Sequence, residues 1–248
     1  MTRSLFAGAA ILALLMTPAC AQAKVDTADK EAIEEIVHDY ILENPEIIEE
    51  ALLELMRREQ EAEAAQLAST IEEYSNALYN DPEDFSVGPA DAPVTVVEFF
   101  DYRCGFCKRS AEWAINLPEQ YDGQVRVVFK EYPLLSPESE KAALAAIAAG
   151  RQDKYIEMHM ALMELDNGSG FDAAAIDAAA ESVGLDVAKM RADMTSLDVQ
   201  RAVSRAKSLG RSVGVSGTPN FYVGNKVVQA ANTQAVEALI EEELSKIG

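Results

Sequence analysis

Two cysteines, Cys104 and Cys107 in Cys104-Gly105-Phe106-Cys107, have the type and spacing to do chemistry. Residues 94–100 ahead of them are apolar and β-branched and read as a buried strand, while residues 110–117 behind them continue as a helix. The pair therefore opens a helix. The unpaired N–H groups and the dipole of a helix N-terminus favour a thiolate over a thiol, so Cys104 is expected to have a lowered pKa. Cys107, one turn on, can reach back to close a disulfide. The pair reads as a redox-active dithiol.

Other uses of the motif fit less well. A structural zinc site needs four ligands and this spacing supplies two. The remaining cysteine is Cys20, and His38 and His159 lie far away in the chain without an HxxxH pairing. A c-type haem needs His directly after the second cysteine, where Lys108 stands. A passive disulfide closing so short a loop would stabilise little. His159, in Met158-His159-Met160, suggests either a copper ligand set or, more simply, a helix face packed into a core.

The elements that position the dithiol come from a chain of 248 residues, 49% hydrophobic, with a net charge of −21. That size suits one ordinary domain plus an extension. The acidic balance excludes nucleic acid and anionic membrane surfaces as partners and favours simple solubility. Residues 1–23 read as a signal peptide: Arg3 gives a positive start, residues 5–16 are apolar, and Ala21-Gln22-Ala23 is a cleavage signal. Ala19-Cys20-Ala21 is the alternative cleavage site, and Cys20 as a lipidated cysteine the alternative fate. After cleavage only the dithiol cysteines remain, which suits disulfide exchange in an oxidising compartment such as the periplasm.

Residues 24–80 read as a helical arm. A first helix is expected over 29–43, with Ile33, Ile36, Val37, Tyr40 and Ile41 at helical spacing. Asn44 then caps a second helix, Pro45 sits in its first turn, and it is expected to run unbroken to Tyr79. Its apolar positions include Leu53, Met56, Leu67, Ile71, Tyr74 and Leu78. A helix that long has few places to bury such a stripe on its own domain, so packing between copies in a homo-oligomer is favoured over a hairpin or a solvated spacer. Residues 81–93, with three prolines, read as a linker or an extended lead into the first strand. Further strands are expected over 124–130, 220–223 and 226–229, the last two joined at Gly224-Asn225. An alanine-rich helical insert occupies about 138–211, and a closing helix capped by Thr233 ends the chain.

Strand, dithiol helix, strand, helical insert, hairpin and helix follow one another in the order of a thioredoxin fold with an inserted helical domain. This α/β architecture, behind an all-α arm, resembles the DsbA family of thiol–disulfide oxidoreductases over about residues 86–248. The resemblance makes Gly217-Thr218-Pro219 the family's cis-proline loop, in which the Thr218 backbone pairs with substrate beside Cys104; otherwise it is an ordinary X-Pro turn. It likewise makes Glu98 the acid that assists proton transfer at the second cysteine, with Lys130 a possible partner; otherwise Glu98 lies on a solvated strand face. Phe106 would offer an apolar contact to unfolded substrate, and Arg103, Lys108 and Arg109 would favour the thiolate.

The arm together with this domain resembles the ScsC proteins, and Thr218 before the proline points to isomerases rather than monomeric oxidases. Gly105-Phe106 departs from the Pro-His pair of the archetypal oxidase of the family. The resemblance implies protein substrates carrying thiols or disulfides, a membrane redox partner and no small-molecule cofactor. An oligomeric isomerase or reductase is the expected function. A monomeric thiol oxidase and a non-catalytic chaperone or copper-handling protein are its alternatives.

Overall fold

The β-branched run forms a strand of seven residues, Val94–Phe100, and the alternation of its side chains decides what each face of the sheet covers. The computed structural model of this chain describes residues 27–168 and 171–247. The signal-peptide reading of residues 1–23, with Arg3 and Cys20, lies outside them. The chain divides into two units, Met1–Arg58 and Glu59–Gly248.

In the larger unit the strands β1 (Phe85–Val87), β2 (Val94–Phe100), β3 (Val125–Glu131), β4 (Asn220–Val223) and β5 (Lys226–Gln229) form one sheet in the order β1-β3-β2-β4-β5. β2 and β3 are parallel, as a crossover through the dithiol helix α4 (Gly105–Gln120) requires, and the other pairs are antiparallel. Val223 pairs with Lys226 across the two-residue turn, where Gly224 takes φ 57°. The expected linker holds a strand: β1 is too short to show a period. Phe85 is set by a distant glycine, since a Cβ on Gly150 would lie 2.1 Å from its ring. Phe85 stacks there on Tyr155 at 3.9 Å.

Val94, Val96 and Phe100 of β2 enter a core with Cys107 and Leu117 of α4, together with Val236 and Ile240 of α10 (Thr233–Ser245). Asn232, not Thr233, caps α10 through the Ala235 N–H. The helical insert completes this core with α5 (Pro137–Gly150), α6 (Tyr155–Glu164), α7 (Ala173–Ser182) and α8 (Val187–Met194), while α9 (Leu197–Ser212) sets Leu209 against the core on the other face of the sheet. Ser136, Asp172 and Asp186 cap α5, α7 and α8 with side-chain oxygens. Trp113 of α4 donates to Glu237 of α10 at 2.8 Å and meets Phe221 of β4 edge-on at 5.6 Å.

Val97, Phe99, Val128 and Tyr222 face the other way, where Ile71 and Leu78 close a second core. Here the helical arm departs from expectation. The second helix, α2 (Glu46–Glu73), is not continuous to Tyr79; it breaks at Tyr74 and resumes as α3 (Ser75–Tyr79). Leu67, Ile71, Tyr74 and Leu78 therefore pack on the sheet of the larger unit and do not belong to a stripe between copies.

In the smaller unit, α1 (Thr27–Glu43) and α2 as far as Arg58 keep their apolar residues outward: Ile33, Ile36, Tyr40, Leu52, Leu53 and Met56 are each more than half exposed. Asn44 does not cap α2 with its side chain; its amide donates back to the Tyr40 carbonyl at 2.8 Å and closes α1. Among the described residues no helix is long and apolar enough to cross a membrane.

Candidate active site

β2 ends in a turn, residues 101–104, and each of its residues is tied to a different part of the fold. Asp101, buried, accepts from the N–H groups of Arg103 at 2.7 Å, Leu134 at 2.8 Å and Leu135 at 2.9 Å. Tyr102 donates to Glu131 at 2.9 Å and lies 3.1 Å from His159 Nδ1. Arg103 donates to the Asn167 carbonyl at 3.0 Å, and Asn167 returns a bond to the Arg103 carbonyl at 2.7 Å. Cys104 ends the turn as the N-cap of α4, its Sγ 3.1 Å from the Thr218 carbonyl, to which it donates while protonated. The Thr218-Pro219 bond is cis. Both cysteines are free thiols in this structure.

The two sulfurs are in different electrostatic environments. A hydrogen bond from the Cys107 thiol, with further ones from Thr218 and from the backbone of Cys107 and Phe106, holds Cys104 down at about 5 despite its partial burial. Cys107 is completely buried, and that burial drives its pKa far above the ordinary thiol range. One thiolate and one thiol therefore coexist at neutral pH.

Glu98 is buried, on the sheet face of Val96, Phe100 and Cys107. Burial first, then the negative charge at Cys104, raises its carboxyl to about 8. Lys130 is not its partner. The parallel register sets Lys130 beside Phe99, so it emerges on the opposite face. There it binds the Ala77 carbonyl at 2.6 Å and the Asp84 carboxylate. The dithiol and the Thr218-Pro219 loop are thus brought together, with Glu98 electrostatically coupled to them from the same face.

The strongest effects that hold Cys104 down are hydrogen bonds from Cys107, Thr218 and the backbone, ahead of the three cations. Lys108 turns away to three carbonyls at the end of α6, Arg103 to Asn167, and Arg109 folds over the Phe106 ring at 4.4 Å. Phe106 is 54% exposed, alongside Leu134 and Leu135, which the Asp101 carboxylate holds beside the turn. His159 is fully buried among Phe100, Phe129 and Tyr155, and burial drops it to about 3. Among the described residues no three His, Cys, Asp or Glu side chains group as metal ligands.

Asp101, Tyr102 and Glu131 build this site and were not anticipated. Their one signal in the sequence is a charged residue closing each of two apolar strands. Glu131 also accepts from Tyr155 at 2.9 Å, and its burial raises it well above the usual carboxylate range.

The thioredoxin family model matches residues 80–242, and the N-terminal domain of copper resistance protein ScsC matches residues 29–62. The chain belongs to the thioredoxin family, and its likeness extends to solved thiol–disulfide exchange proteins of the DsbA and ScsC type. A thioredoxin-like oxidoreductase from Silicibacter pomeroyi is 32% identical, with a TM-score of 0.64, over 68% of this chain and 97% of that one. A linker-deletion mutant of Proteus mirabilis ScsC is 27% identical, with a TM-score of 0.66, over 91% of this chain and all of that one (100%). The probable disulfide bond formation protein D of Bacillus cereus is 27% identical over 65% of this chain and 79% of its own length. The chain spans only 25% of the length of the curated relatives from Salinispora tropica and Salinispora arenicola, named as Na(+)/H(+) antiporters NhaA.

Proposed function

We propose that this protein is an exported disulfide isomerase or reductase that acts on protein substrates as a homo-oligomer, with Cys104 as nucleophile. The observation that carries it is the pairing of a low-pKa sulfur at a helix N-cap with a buried thiol donating to it, beside a cis-proline loop. Cys104 thiolate attacks one sulfur of a substrate disulfide; that S–S bond breaks and a substrate thiolate leaves. Once Cys104 is bonded to substrate its negative charge no longer helps keep Glu98 protonated; Glu98 releases its proton to water, takes that of Cys107, and Cys107 attacks the mixed disulfide. The second substrate thiolate leaves, so the substrate is reduced and Cys104–Cys107 oxidised. If the freed substrate thiolate first attacks a second disulfide of the substrate, the thiolate released there attacks the substrate sulfur of the mixed disulfide, expels Cys104 and leaves the substrate with rearranged disulfides: isomerisation.

The Thr218 backbone and Pro219 align the extended substrate, and Phe106, Leu134 and Leu135 take its apolar side chains. A membrane partner restores the dithiol. The outward apolar residues of α1 and the front of α2 favour assembly of several copies, since faces like these seldom stay bare in water.

Two experiments test this. Cys107→Ser is expected to accumulate mixed disulfides with protein thiols, trapped because nothing resolves them; a binding protein without turnover would give none. Reactivation of a scrambled-disulfide protein is expected from the full chain and not from one lacking residues 24–58. Equal reactivation by both would remove the arm from the function. Oxidation of a reduced peptide by both, with no reactivation, would make the protein an oxidase.

A further inference from the structure

The two residues that bracket the dithiol, Arg103 just before it and Lys108 just after, both reach the same stretch of the helical insert. Lys108 Nζ donates to the carbonyls of Leu162 at 3.3 Å, Met163 at 2.9 Å and Leu165 at 2.8 Å, closing the end of α6 with a cation where its dipole is negative. Arg103 and Asn167 exchange their reciprocal pair of bonds at 3.0 and 2.7 Å. Both cations also stand over one buried ring, Phe171, at 5.8 Å from Arg103 and 5.3 Å from Lys108. Lys108 is drawn far enough from water for burial to lower it to about 8.

We propose that Asn167 and Phe171, acting through Arg103 and Lys108, are positioning residues for the dithiol: the insert fixes both ends of the Cys104–Cys107 turn. This rests on the function proposed above. The Cys107 thiol and the N–H groups of Phe106 and Cys107 that hold the Cys104 sulfur lie within the segment these two cations bracket. Hydrogen bonds weaken steeply with misalignment, so releasing either end costs the sulfur its donors. The cations next to the dithiol thus tether its turn as well as carrying charge beside it.

Asn167→Ala removes the amide that bonds the Arg103 carbonyl and Phe171→Leu the ring beneath both cations; neither changes a charge or touches a sulfur. In the full-length reduced chain, the thiolate absorbance of Cys104 would be titrated against pH for the wild type, each variant and the pair. Thermal unfolding would be followed alongside. The acid dissociation constant of Cys104 is expected to fall about tenfold in the double variant, about one pKa unit. Lys108→Met should move it in the same direction, and Lys108→Arg should retain most of the wild-type value. An unchanged Cys104 titration in folded variants, with only the melting temperature lowered, would overturn the proposal and leave the tether purely structural. Should the double variant fail to fold, Phe171→Leu alone decides by the same two readings. A wild-type Cys104 titrating like an ordinary thiol would instead overturn the function on which this rests.

Discussion

At pH 5 Cys104 is expected to attack a small disulfide about fifty- to a hundred-fold faster than an ordinary cysteine, and at pH 7 at nearly the same rate. Two opposing effects set these figures. With its pKa held at about 5, Cys104 is half ionised at pH 5, whereas an ordinary thiol with a pKa of 9.0 is ionised to only about one part in ten thousand. Against that, a less basic thiolate is a poorer nucleophile, by about 0.4–0.5 of a decade per pKa unit. Ionisation wins at low pH and the two nearly cancel at neutrality. Stopped-flow rates from pH 4 to 9 should therefore plateau above pH 6, while a control thiol climbs about tenfold per unit. A rate that still rises between pH 7 and 8 would contradict the environment assigned to Cys104. The same ionisation stabilises the reduced protein: this contribution is complete above pH 9 and is lost as pH falls through about 5. It makes the disulfide the more oxidising partner at neutral pH.

Glu98→Gln is expected to stabilise the protein at pH 8 by about 3 kcal/mol or more and to do almost nothing below pH 4.5. The native carboxyl keeps its proton up to about 8, while the unfolded chain releases it near 4.5. Through that window the unfolded state binds fewer protons than the native one, so stability falls as pH rises. Glutamine cannot ionise and escapes the penalty. Denaturant unfolding of the reduced protein and the variant at both pH values measures it, and a pH-independent difference would mean that Glu98 is not the buried acid described here. The same substitution should slow the resolving step, because Cys107 loses its nearby proton acceptor.

What the sequence made legible follows from local pattern. The β-branched run, the dithiol at the start of a helix, the Gly224 turn and the alanine-rich insert all lie where short-range spacing puts them. The cysteines and the proline loop were readable because few roles suit their residue types. What stayed hidden is decided between segments remote in sequence. Lys130 follows Glu98 nowhere in space because the β2–β3 register gives them opposite faces. The cations looked like an electrostatic device, yet each finds carbonyls or a ring that only the folded insert supplies. β1 pairs with β3, and its Phe85 packs where Gly150, far away in sequence, leaves room for the ring. The apolar period of α2 is continuous in sequence, and nothing in it announces that Ile71 and Leu78 belong to the sheet while Leu53 and Met56 do not.

The contact of Trp113 with Phe221 and Glu237 also gives the protein an optical reporter of its own. It is the one tryptophan in the sequence, so the indole emission excited near 295 nm comes from a single place. That place is the seam where the dithiol helix, the strand after the cis proline and α10 meet. A change in emission on oxidising Cys104 and Cys107 would register movement of that seam without any label attached.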